Sequence, residues 1–167
     1  MIGEVKTGLP PIAPHDARLF ILGSLPGDAS LAARRYYAHP QNQFWRLVGE
    51  TIGEDLQALD YEARLERLST HRIGLWDVIG SAVRPGSLDQ AIRNAAHNPL
   101  EQLIDDYPDL EALGFNGGTS AATGRRLLAG HEHRLTLIDL PSSSPANTRP
   151  FAEKAAAWAA LRPFIGN

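Results

Sequence analysis

Four short apolar runs, separated by segments of helical period, predict an α/β fold of three layers, with helices on both faces of a parallel sheet. The runs cover residues 19–22, 73–76, 110–115 and 135–140. Each is largely continuous in apolar character rather than alternating, as in strands covered on both faces. Their shortness favours strand over buried helix. Strands that alternate with helices build a layered α/β/α domain, with right-handed crossovers between parallel neighbours.

The elements follow in chain order. Residues 1–17 carry Pro10, Pro11 and Pro14 with Gly3 and Gly8. Proline removes backbone donors, so an extended lead-in is expected there. Phe44, Leu47, Val48, Thr51 and Ile52 fall on one helical face. Tyr61, Leu65 and Leu68 make a second stripe, and Leu100, Leu103, Ile104 and Tyr107 a third. Asn98-Pro99-Leu100-Glu101 reads as an N-cap, a first-turn proline and a glutamate reaching back. Ser87-Leu88-Asp89-Gln90 reads the same way ahead of a short helix. Residues 117–129 and 151–161 complete the helices, the last with Phe151, Ala155 and Trp158 on one side.

A chain of 167 residues without repeats, low-complexity tracts or Gly/Ser linkers is expected to form one domain over residues 1–167. With 43% apolar and 21% charged residues it has the composition of a globular protein, which excludes a fibrous or disordered chain. The absence of cysteine excludes disulfides, thiol nucleophiles and iron–sulfur clusters. The start shows no basic region followed by an apolar one, and no apolar run approaches the roughly 18 residues of a bilayer span. A cytoplasmic monomer with no membrane partner is the expectation. The net charge of −3 argues against a protein that coats nucleic acid by charge alone. It leaves room for a DNA contact through neutral donors and a few arginines.

Ligands of parallel α/β sheets bind at the carboxyl ends of the strands. Three polar loops leave the expected strands at that end: residues 23–42, 116–119 and 141–147. In the first, Gly23-Ser24-Leu25-Pro26-Gly27 is neither a phosphate loop nor a nucleophile elbow. It is a turn whose glycines let backbone approach a ligand closely, stiffened by Pro26. Tyr36-Tyr37-Ala38-His39-Pro40-Gln41-Asn42-Gln43-Phe44-Trp45 crowds aromatic and polar groups before a helix. Its aromatics suit either a satellite core or stacking on a base, and Asn42 suits a helix cap. Phe115-Asn116-Gly117-Gly118 is turn chemistry, or a carboxamide that offers donors and an acceptor to a base edge. Leu140-Pro141-Ser142-Ser143-Ser144-Pro145-Ala146-Asn147 is a connector, or a set of neutral donors for phosphate. His131 and His133 bracket Glu132 without a third convergent ligand, so they read as surface residues and no metal site is expected.

In order and spacing these four blocks resemble the uracil-DNA glycosylase superfamily, most of all its hypoxanthine-DNA (DNA-deoxyinosine) glycosylase branch. The resemblance spans residue 19 to about residue 158. It implies a four-stranded parallel sheet with a base pocket at the strand ends, DNA carrying a deaminated base as partner, and no cofactor. The first superfamily motif falls on Gly23 to Gly27. Where most relatives carry an aspartate or asparagine that positions water, this chain has Ser24-Leu25. The hypoxanthine branch shows the same gap, and its H-P-Q-N asparagine, here Asn42, is implied to take over. The second motif, H-P-S in many relatives, reads Leu140-Pro141-Ser142 and lacks the histidine.

The resemblance further implies roles for individual residues. Asn42 and Asn116 would be catalytic, and Tyr37 would stack on the flipped base. Gly23, Ser24, Leu25, Pro26 and Asn116 would complete the base site. Ser142, Ser143, Ser144 and Asn147 would hold DNA, with residues 143–147 pressed into the duplex. A monofunctional glycosylase that leaves an abasic site is the expectation. Hypoxanthine is the favoured base, ahead of uracil or xanthine. The alternatives are a lesion binder of the same fold that does not cut, and a small-molecule α/β hydrolase.

Overall fold

The computed structural model describes residues 3–131 and 133–166. Glu132, between the two histidines, lies outside the described residues. The four apolar runs form β2 (Leu19–Gly23), β3 (Ile73–Asp77), β6 (Ala112–Asn116) and β7 (Thr136–Leu140). They pair in the order β3-β2-β6-β7, every pair parallel, with Leu19 opposite both Ile73 and Ala112. The fold class is as the sequence predicts.

Alternate residues of β2 feed two separate cores, which accounts for the continuous apolar pattern. Leu19 and Ile21 join Phe44, Leu47, Val48, Leu68, Trp158 and Leu161 on one face. That face is covered by α2 (Phe44–Ile52), α3 (Tyr61–Thr70) and α6 (Phe151–Trp158). Phe20 and Leu22 join Leu100, Leu103, Leu113, Phe115 and Leu128 on the other. There α4 (Leu100–Asp106) and α5 (Gly118–Leu128) lie. Gly124 of α5 sits where a Cβ would come within 2.2 Å of the Phe115 ring, so the helix packs directly on the sheet.

A second sheet departs from the expectations. β1 (Val5–Thr7), β4 (Ile79–Val83) and β5 (Arg93–His97) form an antiparallel sheet in the order β1-β4-β5. The extended lead-in is thus partly a strand, held because its N–H groups find partners on β4. Ser87–Gln90 opens only a single 3₁₀ turn, Asp89–Ala91, before β5 begins. Asn98 does not cap α4: its Nδ2 donates to the Asp77 carbonyl at 2.8 Å and ties the chain to the end of β3. A further short helix, α1 (Asp28–Ala33), follows the Gly23–Gly27 turn. The last helix gives way to a 3₁₀ segment, Ala159–Phe164, where Pro163 removes a donor.

Candidate active site

A cavity of about 600 Å³ opens at the carboxyl ends of the parallel strands. Its walls come from all four sequence blocks, including Gly23 to Gly27, Tyr37, Asn42, Asn116 and Ser142 to Asn147, joined by the loop around Asp89. No Lys or Arg is among the lining residues, whereas Asp28, Asp77 and Asp89 are.

The floor is set by close approach. A Cβ on Gly23, the last residue of β2, would lie 2.5 Å from Asp77 Oδ1 and 3.2 Å from the Tyr37 hydroxyl. Only glycine leaves room for both groups over the strand end. Beyond it, the Ser24 hydroxyl donates to Asp89 Oδ1 at 2.6 Å. The buried Arg84 donates to the carbonyls of Leu25 and Pro26 and lies 3.9 Å from Asp89. With the Pro26 carbonyl held on Arg84, the trans peptide turns the Gly27 N–H the opposite way. This arginine was not singled out from the sequence, where it looks like any basic loop residue.

Tyr37 stacks on Phe44 with ring centroids 3.7 Å apart and planes 7° from parallel. Phe44 is fully buried and does not line the cavity, so the opposite face of Tyr37 is the one turned to it. The Tyr37 backbone is left-handed at φ 53°, a conformation costly for a bulky residue and typical of functional loops. Burial, reinforced by Asp77, pushes the Tyr37 hydroxyl above the ordinary tyrosine range, so it stays protonated.

Asn42 Oδ1 accepts the Phe44 N–H at 2.9 Å, which fixes the carboxamide at the mouth of α2 and leaves its amide hydrogens and one lone pair. The cap-like role and a place on the cavity wall are therefore held together. His39 Nδ1 accepts the Gln41 N–H at 3.1 Å, as scaffold.

Asn116, at the end of β6, is more committed than the sequence suggests. Its Nδ2 donates to Ser143 Oγ at 2.9 Å and to the Tyr37 hydroxyl at 3.3 Å. Its Oδ1 accepts the Ser143 N–H at 2.9 Å. What remains for a ligand is one oxygen lone pair.

The serine loop divides in two. Ser143, expected on DNA, is buried at 1% exposure and spent on Asn116 and on the Gln43 N–H, so it is a bridge inside the protein. Ser142 Oγ and Ser144 Oγ each accept a backbone N–H, from Ser144 and Ala146. A hydroxyl used as acceptor keeps its own proton to donate. Asn147 uses both ends of its amide on Ser142 and Arg149, which shapes the loop.

Sequence reasoning missed Asp77. It is the last residue of β3, 4% exposed, and lines the cavity. Its Oδ2 is enclosed and has no hydrogen-bond partner among the described residues. Burial, with Asp89 nearby, pushes its carboxyl up to about 7 against the pull of Arg84. A carboxylate directly after an apolar strand run, in Leu75-Trp76-Asp77, was the available signal. Among the described residues no group of three or more His, Cys, Asp or Glu is placed to hold a metal ion. No helix of the described residues is long and apolar enough to cross a membrane.

The sequence profile of the Uracil DNA glycosylase superfamily matches residues 10–162. The chain belongs to this superfamily. A Methanosarcina barkeri protein named hypoxanthine DNA glycosylase is 43% identical over 155 residues, 92% of this chain and 96% of that protein. A Methanosarcina acetivorans protein of the same name is 40% identical over 157 residues, 94% of this chain and 98% of that one. A solution NMR structure from Methanosarcina acetivorans, of a candidate uracil DNA glycosylase, superposes with a TM-score of 0.85 at 39% identity. That likeness covers 96% of this chain and 99% of the other. As a superfamily member with such relatives, the protein is a DNA glycosylase.

Proposed function

We propose that this glycosylase removes hypoxanthine from DNA by hydrolysing the N-glycosidic bond of a nucleotide flipped out of the duplex. The observation that carries the reading is the convergence of four distant sequence blocks on one cavity of about 600 Å³. The names of the two Methanosarcina relatives point to the same base. Extrusion costs a few kcal/mol, and less for a deaminated base in a poor pair.

The extruded base lies against the free face of Tyr37. Its N1–H donates to the remaining lone pair of Asn116 Oδ1. Adenine has a lone pair of its own at N1, and a buried acceptor left facing an acceptor costs about 1–3 kcal/mol. Asn42 holds a water against the sugar carbon. A carboxamide is no base, so its contribution is position. The Ser142 and Ser144 hydroxyls donate to phosphate without adding charge, and the exposed tip at Pro145 and Ala146 presses into the gap left by the base. The chain's two lysines are engaged elsewhere, Lys6 on Asp28 and Lys154 on Gln43, so water is the nucleophile and an abasic site the product.

Single-turnover assays on duplexes holding one hypoxanthine, uracil or xanthine, followed by hot alkali, test the reading. Hypoxanthine strands are expected to be cut fastest, with Asn42→Ala slower by about 100-fold or more, the scale of one lost positioning contact. Faster cutting at uracil or xanthine overturns the base assignment. An Asn42→Ala rate close to wild type removes the residue from its role.

A further inference from the structure

The proposed reaction leaves a chemical need unmet. When the C1′–N9 bond breaks, its electron pair goes to the purine, and a proton on the ring relieves that charge. At the position where the resemblance implies a histidine in many relatives, this chain has Leu140. Of the three aspartates that line the cavity, none of them used by the proposed mechanism, Asp77 is the buried one. It closes β3 beside Gly23, its Oδ1 and the Tyr37 hydroxyl share the space above that glycine, and its enclosed Oδ2 has no partner among the described residues. Orphaned buried carboxyl oxygens are rare and ask for an explanation. A base seated on Tyr37 would lie beside the same carboxyl.

Resting on the hypoxanthine reading, we infer that Asp77 is the proton donor to the departing purine. In the step, the Asp77 carboxyl gives its proton to N7, the free ring nitrogen of hypoxanthine that protonates first, as C1′–N9 breaks and the pair moves onto the ring. Hypoxanthine leaves neutral. Water adds its oxygen to C1′, and the proton it releases restores the Asp77 carboxyl, directly or through solvent. No other co-reactant is needed.

The surroundings favour the acid form. Asp89 faces Asp77 from the 3₁₀ turn and raises its affinity for the proton, Arg84 from the loop after β4 lowers it, and burial raises it most. Tyr36 and Tyr37 face it from the loop before α2, both held neutral by burial. Asp28 and His39 are the remaining titratable groups of the cavity lining. A carboxyl poised near 7 is the match for general acid work at neutral pH.

The test is the single-turnover rate on a hypoxanthine duplex from pH 5.5 to 8.5. The wild type is expected to hold its rate below about pH 7 and to lose about tenfold per pH unit above it. Asp77→Asn keeps the shape but has no proton to give. It is expected to cut about 100-fold more slowly or worse, with a flat profile across the same window. Asp77→Ser should behave alike, and both should bind the duplex within about threefold of wild type, which a merely structural role would not produce. A wild-type rate that does not fall above pH 7, or an Asp77→Asn rate within threefold of wild type, overturns the proton donor alone. A wild type that cuts uracil but not hypoxanthine overturns the base assignment and this role with it.

Discussion

Asp77 is held in a place that prefers its proton, and that preference reaches beyond catalysis. In the folded chain its carboxyl titrates at about 7 rather than 3.8. Between those values the native state keeps a proton that the unfolded chain has released. Wild-type stability therefore falls as pH rises through that window, by up to roughly 4 kcal/mol, and levels off above it. Asp77→Asn has no such titration. Denaturant unfolding at pH 5 and pH 8.5 should show the variant gaining on wild type at the higher pH. Parallel behaviour of the two proteins would mean that Asp77 is ionised in the native state. A residue that costs stability at working pH fits one kept for its chemistry. Its neighbour Asn116 teaches the complementary lesson. Its type and position were legible because an asparagine before two glycines ends a strand. That its amide hydrogens are spent on Tyr37 and Ser143 was not, because those partners lie 79 and 27 residues away.

Among elements, those that bury a continuous or periodic apolar face were readable from the sequence. Residues 19–22 and 110–115 announce β2 and β6, and the Phe44 to Ile52 stripe announces α2. The antiparallel sheet was unreadable because it lacks that signature. β5 is Arg-Asn-Ala-Ala-His, largely exposed, and its pairing with β4 is broken by register shifts on either side of Ser81. Strands of this kind form because a neighbour offers a ladder, which local propensity does not record. The serine loop was readable as polar but not as anchored. Its anchor is Lys154 of α6, 1% exposed, whose Nζ donates to Gln43 Oε1 at 2.9 Å and to the Asn147 carbonyl at 2.8 Å. One ammonium thus joins α6, the entry to α2 and the loop that carries Ser142 and Ser144. Lys154→Met keeps the stem but strands both acceptors, so it should cost about 1–3 kcal/mol of stability. Duplex affinity should weaken several-fold as the loop loosens. Unfolding curves and fluorescence anisotropy check both, and a variant within about 0.5 kcal/mol of wild type would show that the pin is dispensable.

For the molecule as a whole, the puzzle is an acidic protein that works on a polyanion. The net charge is −3, and the cavity lining holds three aspartates without a lysine or arginine. Two arrangements lessen the repulsion. Asp77 is neutral below about pH 7, and Asp89 takes the Ser24 hydroxyl and lies near Arg84. The phosphate-facing groups assigned above are hydroxyls, and the exposed Arg149 stands at the end of the serine loop. Neutral donors grip phosphate without releasing condensed counterions, so affinity should depend weakly on salt. With one phosphate neutralised by Arg149, log K against log salt should have a slope of about −1. The measurement is anisotropy on a labelled hypoxanthine duplex across 50–300 mM salt, with Asn42→Ala used so that the lesion persists. A slope steeper than about −6 would require a basic groove elsewhere on the surface and would move the duplex away from this rim. Because so little of the binding is then electrostatic, discrimination falls to the flipped base itself. An undamaged duplex should therefore bind at least tenfold more weakly at every salt concentration, with nearly the same slope.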